Sequence, residues 1–75
     1  MDKQTVSNAF LDALVAVLST RFPSIDQRQA LVRARHGAMK VLDKQSYDAM
    51  VLEADRIRNR LLYASVSLWL SPTAP

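Results

Sequence analysis

The sequence predicts an all-α fold, a three-helix bundle made of a helix pair plus a long C-terminal helix, and three observations carry that reading. Within the stretch 46–70 the apolar residues Tyr47, Met50, Ala54, Ile57, Leu61, Ala64 and Leu68 recur at alternating spacings of three and four. Such spacing gathers them on one face of a helix, whereas a strand repeats every second residue. The tetrapeptide Ser24-Ile25-Asp26-Gln27 is a capping box, in which the serine oxygen and the glutamine side chain satisfy each other's free backbone N–H groups at a helix start. Finally, 49% apolar residues and a single glycine suit a helical globular chain and not a disordered tail.

The first helix is expected over residues 3–20, started by Asp2 or Thr5, either of which can cap exposed N–H groups. Val6, Phe10, Ala13 and Val17 form one stripe and Leu11, Leu14 and Leu18 a second beside it, leaving Asn8, Asp12 and Ser19 for solvent. Pro23 disfavours helical geometry in the residue before it and is expected to end the element.

Helix two is expected over 24–42, with Leu31, Ala34, Ala38, Val41 and Leu42 facing inward. Ala30, Ala34 and Ala38 stand one turn apart with Gly37 beside them, a small-residue patch that another helix backbone could approach closely. A glycine inside a helix costs about 1 kcal/mol relative to alanine. Close packing at Gly37 is the expected compensation.

The connection VLDKQSYD contains neither glycine nor proline, and its turn signals are Asp43 and Ser46. A short turn there gives a third helix over 46–70. The alternative is a helical hairpin in which one long helix spans 24–70 and dimerises to bury its stripe. After Leu70, SPTAP has two prolines and no periodicity, so 71–75 reads as a frayed tail on a single small domain, 1–75.

Composition removes most chemistry. There is no cysteine, so disulfides, thiolate metal sites and cysteine nucleophiles are excluded. His36 is the single histidine and has no carboxylates at ligand spacing. Glu53 and Asp55 are two apart on a helix and face different ways, which disfavours a carboxylate pair, and no glycine-rich loop is present for phosphates. Neither a cofactor nor a metal site is expected, and the chain reads as a non-enzyme. The N-terminus lacks the basic and apolar runs of a signal peptide. The apolar segments 9–18 and 61–70 are half of the roughly 20 residues that span a bilayer. A soluble cytoplasmic protein without a membrane span is the expectation.

What stands out is the end of helix three, where LLYASVSLWL is apolar on nearly every side. A helix that is apolar all round has to be covered, and two short helices cannot cover this one. Tyr47, Arg58, Leu62, Tyr63, Val66 and Trp69 are therefore the candidate partner-binding residues, for a partner helix, a larger protein or a second copy of the chain. The function expected is that of an adaptor, a co-chaperone or an inhibitor, including a bacterial or phage regulator that binds a host protein.

Charge offers a second possibility. Ten Lys and Arg against seven acids leave +3. Arg33, His36, Lys40 and Lys44 line one side of helix two while Arg28 and Arg35 share another. A small DNA-binding regulator would read the first two helices as a helix-turn-helix, with Arg28, Arg33, Arg35 and Lys40 reaching nucleic acid. On helix three, Glu53 and Asp55 can each pair with an arginine three residues on, Arg56 and Arg58.

From Asp43 onward, the pattern D-K-Q-S-Y followed by Met50, Ala54, Ile57 and Leu61 resembles the small cytoplasmic E-component co-chaperones of type III secretion needles. The resemblance covers the second half of the chain. It implies a short helical hairpin that, with a larger helical-repeat partner, keeps a needle subunit unpolymerised. It also implies that Tyr47, Met50, Ile57 and Leu61 face the partner.

Overall fold

The computed structural model describes the backbone of residues 2–70 and the side chains of residues 2–62. The expected tail, 71–75, lies outside the described residues. Three helices follow in order: α1 (Lys3–Leu18), α2 (Ile25–Val41) and α3 (Lys44–Leu70). Among the described residues there is no strand, so the all-α reading holds, and the continuous helix over 24–70 does not form.

Each boundary has a local cause. Asp2 caps α1, its carboxylate accepting from the Thr5 N–H at 2.7 Å. At the other end the Thr20 hydroxyl donates to the Ala16 carbonyl at 2.7 Å, and the Thr20 N–H reaches back to Val17. These bonds close the last turn, so α1 stops at Leu18 before Pro23 has any influence. The capping box at Ser24 forms as expected: Gln27 N–H donates to Ser24 Oγ at 3.1 Å and Ser24 N–H donates to Gln27 Oε1 at 2.9 Å.

The break between α2 and α3 falls at Leu42 and Asp43, so α3 starts at Lys44, two residues before the expected start at Ser46. Leu42 is extended, with φ −86° and ψ 140°, and Asp43 begins α3, its carbonyl accepting from the Tyr47 N–H at 2.9 Å. Leu42 is also buried. The turn needs no glycine or proline because it is pinned from two sides, by a buried leucine and by Asp43, whose carboxylate meets Lys3 at 3.1 Å.

Val6, Phe10, Ala38, Leu42, Met50 and Ala54 form the core, with Leu11, Leu14, Leu31, Ala34 and Tyr47 packed around it. α1 is the central element, packing against both α2 and α3, while α2 and α3 scarcely meet. Val6 and Ala9 lie beside Ala34, Gly37 and Val41, which makes α1 and α2 an antiparallel hairpin. Lys3, Ser7 and Leu11 lie beside Ser46, Ala49 and Glu53, so α3 runs parallel to α1 and starts at the same end. The radius of gyration is 14.6 Å, against about 11 Å for a compact chain of this length.

Two expectations about α2 are corrected. Val41 is exposed, because Leu42, not Val41, occupies the buried position at the helix end. Gly37 does not mark a close approach: a Cβ added there meets nothing within 4 Å. It floors an open groove between α1 and α2, lined by Val6, Ala9, Arg33, Ala34 and Val41, with a volume of about 450 Å³. The tight position is Ala38, which is fully buried, whereas Ala30 is exposed.

Candidate functional site

The parallel start of α1 and α3 determines what is left uncovered. At 1.5 Å per residue, α1 is about 24 Å long and α3 about 40 Å. Lys3 meets Asp43 at the start of both helices, and Ser7 and Leu11 share a cavity with Ala49 and Glu53. The helical backbone of α3 then continues to Leu70.

Of the candidate contact residues, Tyr47 is half-buried and packs against the core cluster, while Arg58 and Leu62 are exposed, Leu62 at 52%. The side chains of Tyr63, Val66 and Trp69 lie outside the described residues. Val51 and Leu52 are also exposed. The stripe that the needle co-chaperone resemblance would turn toward a partner does not stay free in this chain. Met50 is buried within the chain's own core, and Ile57 and Leu61 are half-buried.

On α2, Arg28, Arg33, Arg35, His36 and Lys40 are all exposed. They do not form one patch. Between them stand Ile25, Val32 and Met39, exposed at 72%, 46% and 59%. These three apolar residues fall outside the inward stripe, and their spacing of seven is the signal in the sequence that marks them.

Charged groups elsewhere form three ion pairs among the described residues, two within α3 and one between the starts of α1 and α3. Lys3 Nζ stands 3.1 Å from Asp43 Oδ1, Lys44 Nζ 2.9 Å from Asp48 Oδ2, and Arg56 Nη1 3.9 Å from Glu53 Oε2. The expected Glu53–Arg56 pair is therefore present. Hydrogen bonds from Ser46 and then Lys3 hold the Asp43 carboxyl down to about 2. The Thr5 N–H, followed by its side chain, lowers that of Asp2.

Among the described residues no three His, Cys, Asp or Glu side chains gather as a metal site, and no buried side-chain polar atom lacks a hydrogen-bond partner. No helix among them is long and apolar enough to cross a membrane. The chain matches no protein-family model, and the comparisons with curated proteins and with solved structures found none similar to it.

Proposed function

We propose that this chain is a small non-enzymatic helical protein–protein interaction module, of the adaptor, co-chaperone or inhibitor kind. It binds a partner helix, or a second copy of itself, through α3. One feature supports the reading above the others: α3 has 27 residues against 16 in α1, and its last ten, LLYASVSLWL, are apolar at nearly every position of the sequence. An apolar helix end is stabilised by whatever removes it from water.

Leu62 is a described residue of this segment and is exposed, and Trp69 follows it by seven positions in the sequence. Arg58, four residues before Leu62, supplies a cation at the margin. Aromatic and arginine side chains dominate interface energies, where truncation commonly costs about 2 kcal/mol or more.

Sedimentation of the wild type beside Leu62→Asp and Trp69→Ala tests the reading, with circular dichroism to confirm that each variant folds. A wild-type mass that rises with concentration, and folded variants that stay monomeric, support self-association through α3. A monomeric wild type removes the second copy and leaves the partner helix, captured from the native host by the wild type and lost by both variants. Folded variants that match the wild type in both assays defeat the proposal.

A further inference from the structure

We infer that the exposed face of α2 is a docking surface for an anionic lipid bilayer, on which the folded chain rests by charge and by single inserted side chains. Arg28, Arg33, Arg35 and Lys40 project from one arc of the helix, about 160° wide, and all four are exposed. α2 holds four of the ten Lys and Arg but one of the seven acids, Asp26. The helix therefore carries +3, the net charge of the whole chain, and the six cations and six acids elsewhere cancel. Among the described residues none of the four α2 cations belongs to an ion pair. Charge of one sign, gathered on one exposed face and left unneutralised, calls for an anionic occupant.

Apolar side chains interleaved with the cations narrow the class. Arg28 and Arg35 stand in nearly the same line of the helix as Ile25, Val32 and Met39, and all three apolar residues are exposed. Ile25, Arg28, Val32 and Arg33 line one shallow depression. Phe22, 79% exposed, precedes the helix with the Arg21 guanidinium 5.3 Å from its ring centre, which repeats the pairing of apolar body and cation. Successive apolar residues of the line are about 10 Å apart along the axis, too far to form a ridge for a partner helix. A bilayer interface needs no ridge. Each apolar side chain enters between headgroups by itself, while the cations beside it stay at the level of the anionic groups.

Rigid occupants use only part of this face. Duplex DNA would engage the cations through its phosphates but leave Ile25, Val32 and Met39 without a partner. A second copy would set one +3 helix against another across an isologous contact, a repulsive arrangement. A protein surface would have to alternate acidic and apolar groups in register with α2. Lipids diffuse laterally, so headgroup charge and apolar depth reach every position of the face without a fixed register.

Co-sedimentation of the full chain with vesicles tests the assignment. The vesicles are phosphatidylcholine alone and phosphatidylcholine with phosphatidylserine, each at low and at raised salt, and a labelled duplex DNA is titrated in parallel by fluorescence anisotropy. Binding is expected to need phosphatidylserine and to weaken as salt screens the charges. Arg28→Gln with Arg35→Gln should weaken it by about twentyfold, at about fivefold per cation. Ile25→Gln with Met39→Gln leaves every charge in place and should still weaken it by about fivefold or more. All four substitutions are at exposed positions, and circular dichroism checks that the variants fold. Leu62→Gln with Trp69→Ala should bind like the wild type, which separates this surface from the end of α3. No binding to either vesicle, equal binding to both, or tighter binding to the duplex would overturn the inference on the wild type alone. So would a folded α2 variant of either kind that binds like the wild type, or a loss confined to the α3 variant.

Discussion

Lys3 and Asp43 meet at 3.1 Å across 40 residues of sequence, tying the first turn of α1 to the residue just before α3. Both side chains are exposed, and an exposed ion pair contributes little to stability by itself. What the contact marks is registry, since the starts of the two helices must lie side by side for it to form. The Asp43 carboxylate also accepts from Ser46, and together these donors hold its pKa at about 2, below the usual 3.8.

Stability should therefore depend on acid in one direction. A carboxyl whose pKa is lower in the folded state contributes fully above its unfolded value and loses that contribution as pH falls through the folded one. The melting temperature is expected to drop between about pH 4 and pH 2, and Asp2 acts with the same sign through Thr5. Asp43→Asn keeps a side chain that can cap the helix but removes the charge. Its melting profile should be flatter over this window, and one that superimposes on the wild type would show that the carboxylate is not the sensor.

At Gly37 the helix bears the cost of a glycine without a packing reason, because a Cβ there meets nothing within 4 Å. Gly37→Ala should stabilise the chain by about 1 kcal/mol, raising the melting temperature by about 4–8 °C in a domain of this size. Ala38→Leu, one residue on and fully buried, should destabilise by about 1–3 kcal/mol through overpacking. Thermal melts of the two variants are expected to move in opposite directions. A Gly37→Ala protein that melts lower than the wild type would mean that the groove above it closes in solution.

Much of this architecture was legible in the sequence, and the reason differs from element to element. The capping box at Ser24 was readable because its two hydrogen bonds join residues three apart, so no tertiary information is required. The stripe Val6 and Phe10 was readable because helical periodicity records which side is buried. Gly37 was misread because the same small-residue pattern arises beside a close contact and beside an open groove, and only the position of α1 distinguishes them. Val41 was misread because the extended Leu42 turns the end of α2, a break that periodicity alone cannot register. The apolar line on the outer face of α2 was written in the seven-residue spacing, but an inward stripe on the same helix obscured it until burial separated the two faces.

Met50 and Leu52 give the sharpest test of how α3 is seated. By hydrophobicity alone the two are close to interchangeable, and they lie two residues apart on one helix. Two residues turn a helix by about 200°, so they face nearly opposite ways. Met50 faces α1 and is only 3% exposed, in the same cluster as Val6, Phe10 and Leu42, while Leu52 faces solvent. A flexible thioether suits that position, where α1, α3 and the α2–α3 turn meet around an uneven space bounded by Gln4, Ser7 and Ser46. Removing a buried side chain of this kind forfeits its transfer energy and leaves a cavity, at a cost of about 2–5 kcal/mol. Removing an exposed one usually changes stability by no more than about 0.5 kcal/mol. Urea unfolding should therefore show Met50→Ala with a markedly lower midpoint and Leu52→Ala within error of the wild type, both at unchanged slope. Equal losses in the two variants would mean that α3 does not present this face to α1, and the registry marked by Lys3 and Asp43 would fall with it.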